Sequence, residues 1–202
     1  MFLKNIIFVS MIGLTCFALA NATLTQIDCK DTQLNDNCVC AFDQDQNLLV
    51  MECQNLLDAT SSKLPDVKAQ TVIVQGSFSS WPVVPASYNY TKAMALSENK
   101  LTSIGDLSNL INLKYLNLSY NEIKKIGPSL ATLKELVMLD LSMNYLEELH
   151  FENFIFSTEK NTLNKDGNDA IFSKLQYLFI YGNLIKTIYN LDLMFIGMFM
   201  IN

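Results

Sequence analysis

The chain has 202 residues, half of them hydrophobic, and this proportion excludes a disordered chain. Its length is enough for one domain with a sizeable buried core. All 14 basic residues are Lys, and they face 20 acidic residues, for a formal net charge of −6. Such a chain has no basic surface to neutralise phosphates, so nucleic acid and anionic membranes are poor candidates as partners.

Residues 1–20 have the organisation of a secretory signal. Lys4 lies in a short positive start, an apolar run extends from Ile6 to Phe17, and Ala18-Leu19-Ala20 places small residues at alternate positions. The run is shorter than the roughly 20 residues that span a bilayer. We therefore predict cleavage and export, and a transmembrane anchor is the alternative.

The remaining cysteines are clustered in the spacing C-x8-C-x-C-x12-C, as Cys29, Cys38, Cys40 and Cys53. The spacing differs from the paired units typical of zinc sites, and exported proteins generally oxidise such clusters. Two disulfides are therefore favoured over a metal. We predict a disulfide-stapled N-terminal cap over residues 21–63.

An apolar motif with one Asn recurs along the chain. Leu113-x-x-Leu116-x-Leu118-x-x-Asn121-x-Ile123 returns 23 residues later as Leu136-x-x-Leu139-x-Leu141-x-x-Asn144-x-Leu146. The same frame includes Met94 upstream, with Thr91 in place of the first Leu, and begins again at Leu175 downstream. An eroded copy starts near Val72, with Ser77 at the Asn position.

This pattern resembles the leucine-rich repeat family, and the cysteine cluster looks like the N-terminal capping module of its secreted and cell-surface members. The resemblance covers about residues 29–193. It implies an α/β solenoid, an arc with a parallel concave sheet and an irregular or short helical convex side. It also implies that Cys29 pairs with Cys40 and Cys38 with Cys53. We expect about five repeats over residues 64–193, with the last two separated by an insertion at 155–170, and an apolar tail at 194–202.

The recurring amides have a physical reason. After each strand the chain bends inside the molecule, where backbone N–H and C=O groups need partners. An amide side chain carries both a donor and an acceptor. We predict a stacked ladder made by Asn99, Asn121, Asn144 and Asn183.

Alternate strand residues point away from the core and form the predicted binding surface. Aromatic residues and Met are enriched in protein interfaces. The predicted partner-binding residues are Tyr115, Met138, Asp140, Tyr177, Phe179 and Tyr181. The alternative is that these aromatics pack against further repeats or against the insertion.

Three N-glycosylation motifs occur, at Asn21, Asn89 and Asn117. Asn21 adjoins the predicted cleavage site. Asn117 is expected on the concave face, where a glycan would obstruct part of the predicted binding surface and shift contacts towards later repeats.

No catalytic residue, cofactor site or metal site is predicted. The only His, His150, is expected at a surface or boundary position. The polar insertion around Gly167 does not fit a calcium loop, because Thr162 and Ser173 stand where Asp and Glu are required. A hydrolase using scattered carboxylates is a remote alternative.

The resemblance implies a non-catalytic secreted or cell-surface protein that recognises a protein partner through its concave face. The alternative is the truncated ectodomain of a single-pass signalling or adhesion receptor, resembling Toll-like or neuronal adhesion receptors. Because no Cys follows Cys53, we expect a truncated product, with the membrane involved only through a missing C-terminal segment. The other interpretation is that the apolar tail folds back as a cap.

Overall fold

The computed structural model describes residues 24–27, 38–43, 48–56, 63–150 and 175–189. The predicted signal, Asn21, Cys29, the insertion at 155–170 and the apolar tail lie outside them. The described strands are β1 (Leu24–Ile27), β2 (Cys38–Asp43), β3 (Leu48–Leu56), β4 (Thr71–Gly76), β5 (Ala93–Ala95), β6 (Tyr115–Asn117), β7 (Met138–Asp140), β8 (Glu148–His150), β9 (Tyr177–Phe179) and β10 (Thr187–Tyr189). Two 3-10 helices span Ala86–Tyr90 and Pro128–Thr132.

The main sheet has eight strands in the order β1-β2-β3-β4-β5-β6-β7-β9. From β3 onwards every pairing is parallel. Each of β5, β6, β7 and β9 is a three-residue strand, and equivalent repeat positions are in register, as Leu116 and Leu139 are. The predicted parallel solenoid is confirmed, and the eroded copy near Val72 supplies strand β4.

The first three strands of the main sheet, β1, β2 and β3, pair with one another in antiparallel orientation. Strands β2 and β3 place Cys38 opposite Cys53, and a disulfide joins these residues. Cys40 is also disulfide-bonded, while its predicted partner lies outside the described residues. Because β3 pairs in parallel with β4, the stapled hairpin covers the edge of the first repeat strand. The sequence did not predict this antiparallel extension of the repeat sheet.

The core is a column of the repeated apolar positions. In one repeat, Leu113, Leu116 and Leu118 are fully buried, and their equivalents occupy the same depth in the next repeat. Thr91 replaces the first Leu of an earlier repeat and is fully buried. Its hydroxyl donates to the Ala69 carbonyl at 2.8 Å, so the polar atom has a partner inside the core.

The side of the solenoid opposite the main sheet is irregular, with short helices, as the repeat pattern implies. It also holds a second, two-stranded sheet in which Glu148–His150 pairs in parallel with Thr187–Tyr189. That pair was not predicted, although Leu149 and Ile188, which it places in register, occupy equivalent positions of the repeat motif. Within the described residues, no helix has the length and apolar character needed to cross a bilayer.

Candidate protein-binding face

The four predicted ladder amides occupy equivalent positions just after the repeat strands. Asn99, Asn121 and Asn144 are buried, and Asn183 is partly exposed. Asn121 shows the arrangement in full. Its Nδ2 donates to the carbonyls of Leu118 and Ser119 in its own repeat and to that of Leu96 in the preceding repeat, at 2.9–3.2 Å. Its Oδ1 accepts the backbone N–H of Leu101 at 3.0 Å. Each rung therefore ties the turn of one repeat to the turn before it.

The same scheme recurs in the other three rungs. Their Oδ1 atoms accept backbone N–H groups of the preceding repeat, from Phe78 to Asn99, Ile123 to Asn144 and Leu146 to Asn183. Their Nδ2 atoms donate to carbonyls of two successive repeats, including Val74, Leu118 and Leu141 of the preceding one. Ser77, which occupies the Asn position of the eroded copy, is exposed. The ladder therefore runs from Asn99 to Asn183, which fixes how the strands stack.

The register of the sheet sets out two rows of side chains on its concave face. The first row contains Ala93, Tyr115, Met138 and Tyr177, and the second contains Ala95, Asn117, Asp140 and Phe179. Adjacent strands lie about 4.8 Å apart, so neighbours in a row can touch. The aromatic residues are therefore concentrated at the later strands.

The predicted contact residues differ in their depth. Tyr115, Met138, Tyr177, Phe179 and Tyr181 are all partly exposed. Asp140 is only 2% exposed, so the expectation that it is offered to solvent is wrong. Sequence periodicity placed Asp140 correctly in register with Asn117 and Phe179, but it did not predict the burial of its side chain. The small side chains that follow the same outward pattern are buried as well: Ala93, Ala95, Ser97, Ser119 and Ser142.

Asp140 is a buried carboxylate with an asymmetric set of partners. Its Oδ1 accepts the backbone N–H of Ser142 at 2.9 Å and the Ser142 hydroxyl at 2.5 Å. Burial raises the pKa of Asp140, and the two hydrogen bonds from Ser142 oppose that shift. Asn117, one strand away, accepts the equivalent two hydrogen bonds from Ser119 without carrying a charge. The carboxylate is therefore not needed for this local turn.

A second apolar surface, which the sequence did not predict, follows the edge of the solenoid beside the ladder. Tyr120 and Met143 immediately precede ladder residues and are 52% and 40% exposed. Tyr145 and Leu184 are 47% and 51% exposed. We call these four residues the edge stripe. The repeat motif does not specify which residue types occupy these four positions. Only the large size of their side chains could have indicated this surface from the sequence.

The backbone at this edge is also unusual. Glu98, Tyr120, Met143 and Gly182 precede the four ladder residues, and all have φ between 54° and 66°. Residues other than glycine rarely adopt this left-handed backbone conformation. The Met143 sulfur lies against Gly182, where an added Cβ would collide with it. The inward bend after each strand therefore imposes the same conformation whichever residue stands there.

His150 lies on the convex side, as expected of a boundary residue. Its ring stacks on that of Tyr189 with 4.4 Å between centroids, and its Nε2 lies 3.4 Å from a Glu148 carboxylate oxygen. No nucleophile accompanies it in these contacts. In the part of the chain that the structure describes, no three His, Cys, Asp or Glu residues are grouped so as to hold a metal ion.

The stacked parallel strands, the asparagine ladder and the disulfide-bonded cap together form a leucine-rich repeat fold. Residues 111–154 match a family model described as leucine rich repeats in two copies. The chain is 31% identical over 107 residues to lumican of Mus musculus and to lumican of Rattus norvegicus. Each match covers 52% of this chain and 30% of the relative, so the chain spans about a third of the relative's length.

Solved structures show weaker likeness. The leucine-rich repeat domain of APL1B is 22% identical, with a TM-score of 0.43, over 62% of this chain and 34% of that one. An internalin of Listeria monocytogenes is 20% identical, with a TM-score of 0.39, over 58% and 33%. These scores carry no weight in the fold assignment, which rests on the geometry of the chain itself.

Proposed function

We propose that this chain is an extracellular, non-catalytic recognition protein that binds a protein partner through the later strands of its concave sheet. The observation that carries the proposal is the grouping of Tyr115, Met138, Tyr177, Phe179 and Tyr181 on one face, all partly exposed. Aromatic residues and Met bury a large area at low entropic cost, which is why interface centres are rich in them.

Export is part of the proposal. The disulfide between Cys38 and Cys53 supports an oxidising compartment, where such bonds persist. The signal-like segment at residues 1–20 supports the same conclusion. The receptor alternative shares this compartment and this binding face, and a transcript that continues into further repeats and a membrane span would favour it.

Glycans would reshape this face. The Thr91 hydroxyl of the Asn89 motif and the Ser119 hydroxyl of the Asn117 motif are both engaged in hydrogen bonds of the folded chain. Attachment at either site would therefore have to precede folding. We propose that a glycan on Asn117 would narrow the concave face towards β7 and β9, and mass spectrometry of secreted protein tests whether this Asn is modified.

The binding proposal is tested with three matched variant sets of the full chain, screened against a panel of extracellular proteins. The concave set changes Tyr177, Phe179 and Tyr181 to Ala. The control set changes Val83, Tyr90 and Ile111 to Ala. These residues lie outside the concave rows and are more exposed than any concave aromatic. The third set changes the edge stripe to Ser.

We expect the concave set alone to lose binding by at least tenfold, with an unchanged circular dichroism spectrum. Retained binding in the concave set would reject the proposed face. Loss in the edge-stripe set alone would move the contact to the ladder edge.

A further inference from the structure

One buried group on the proposed face has an unused oxygen. Asp140 is 2% exposed, and both of its hydrogen bonds come from Ser142 to the same oxygen, Oδ1. The other oxygen, Oδ2, makes no hydrogen bond or ion pair to any residue that the structure describes. An ionised carboxylate in this position has lost most of its water without gaining a counter-charge.

Among the described residues of the two concave rows, the neighbours of Asp140 are an amide, an aromatic ring and a thioether. Across the sheet it is flanked by Asn117 on β6 and Phe179 on β9, and along its own strand by Met138. The concave rows on β4 to β9 contain no Lys within the described residues, and the ionisable groups nearest to Asp140 in these rows are Tyr side chains. Tyr115 and Tyr177 flank Met138 in the neighbouring row, diagonal to Asp140.

Neither the turn nor the core needs a charge here. Asn117 makes the same pair of hydrogen bonds to Ser119 as a neutral amide. A desolvated carboxylate is therefore an avoidable cost for the free chain, and such a cost is offset when a cation pairs with it in a complex. Aromatic faces nearby add attraction for a cation through their ring quadrupoles.

We infer that Asp140 anchors a cationic side chain, Lys or Arg, carried by an otherwise apolar segment of the protein partner. The cation pairs with Oδ2, while Tyr115, Tyr177 and Phe179 form the walls around it. The apolar part of the segment packs on Met138 and the aromatic residues. This inference rests on the proposed function and specifies the chemistry of the partner.

Access to Oδ2 requires only side-chain movement. The residues next to Asp140 in the two rows, Met138 and Phe179, are partly exposed, and Met is unbranched and changes rotamer easily. We expect an incoming aliphatic chain that ends in a cation to reach the carboxylate by displacing these two side chains. The buried group is therefore reached without moving the sheet.

The test is a selection of displayed random dodecapeptides on the immobilised full chain. Peptides that also bind the concave variant, with Tyr177 and Phe179 changed to Ala, are removed. We expect the remaining peptides to be enriched in Lys or Arg among apolar residues. Replacing that cation by Met should weaken binding to the wild type at least tenfold.

The matched protein variants are Asp140→Asn and Glu122→Gln. Both remove one negative charge, but Glu122 is an exposed residue outside the concave rows. Asn at position 140 keeps an acceptor for Ser142, and circular dichroism checks that the variant is folded. Asp140→Asn should lose the tenfold preference for the cationic peptide over its Met analogue, and Glu122→Gln should keep it.

Three results overturn the inference: no enrichment of Lys or Arg, an unchanged preference in Asp140→Asn, or no face-dependent peptide at all. The peptide replacement is measured on wild-type protein, so it tests the cationic anchor even where a protein variant is unstable. Face-dependent peptides that are purely apolar would reject the cationic anchor and leave the proposed protein-binding function standing. The two failures are therefore distinguishable.

Discussion

Replacing Asn121 by Leu removes a central rung of the asparagine ladder while keeping a side chain of similar size. The change leaves the Leu101 N–H without the acceptor it has at 3.0 Å. It also removes one of the two donors to the Leu96 carbonyl, the Asn121 amide at 2.9 Å, while the Asn99 amide remains at 3.1 Å. Asn121 itself is only 4% exposed. The unpaired Leu101 N–H costs about 1–3 kcal/mol, and the lost hydrogen bond to the Leu96 carbonyl costs about 1 kcal/mol more.

The added apolar volume offsets about 1 kcal/mol of this loss. We therefore expect the free energy of unfolding to fall by about 2 kcal/mol, within a range of about 1–3 kcal/mol. The control is Asn112→Leu, which makes the same chemical change at an exposed residue whose Nδ2 donates to the Asn89 carbonyl at 2.7 Å. Its cost should stay within about 0.5 kcal/mol.

The assay is urea unfolding of both variants and the wild type, followed by circular dichroism. A lower midpoint at an unchanged slope identifies a loss of stability in the folded state. If Asn121→Leu unfolds at the same midpoint as wild type or as Asn112→Leu, the ladder is not what ties the repeats together.

Three further predictions concern other parts of the fold. Asp140→Asn should raise the unfolding midpoint at pH 7. The raised pKa of Asp140 means that the folded chain keeps its proton longer than the unfolded chain, so wild-type stability falls as pH rises from the ordinary value of 3.8 through the folded pKa. The gain should therefore shrink towards pH 4, and an equal gain at both pH values in urea titrations would contradict the burial argument. Gly105→Ala should cost about 1–3 kcal/mol, because an added Cβ would lie 2.6 Å from atoms of Trp81. The fluorescence of this single Trp reports the displacement, and an unchanged spectrum and midpoint would count against the contact. Replacing Cys38 and Cys53 together by Ala should cost about 3 kcal/mol, because the bond closes a loop with a sequence separation of 15. Thermal unfolding checks this, and a loss below about 1 kcal/mol would show that the hairpin is held by its strand pairing alone.

The sequence predicts most of the solenoid because the repeat encodes it locally. Leu116 and Leu118 fill the core, and Asn121 pairs buried backbone groups. The 23-residue period places equivalent residues at the same positions of the next repeat. Thr91 shows that the repeat can accept a polar residue at a buried Leu position, because its hydroxyl donates a hydrogen bond to the Ala69 carbonyl.

The repeat motif did not predict how exposed individual surface side chains are, or which strands pair outside the main sheet. Periodicity gives the register of Asp140 but not its exposure of 2%, because burial depends on which residues of distant repeats the sheet places beside it. The exposure of Tyr120 and Met143 follows from a turn conformation that their residue types do not favour. The parallel pair of β8 and β10 brings the equivalent repeat positions Leu149 and Ile188 into register, but they lie about 40 residues apart in the chain, and neither three-residue segment encodes that pairing alone.

Photo-crosslinking from single positions tests the central claim most directly, namely that the concave aromatic face recognises a protein. A benzophenone side chain is placed at position 177 on the concave face or at position 111, which is exposed and outside the concave rows, in the full chain. Each protein is then irradiated with extracellular material. If the concave face binds the partner, we expect a discrete covalent adduct from position 177 and none from position 111. Adducts of equal yield from both positions, or from position 111 alone, would contradict it.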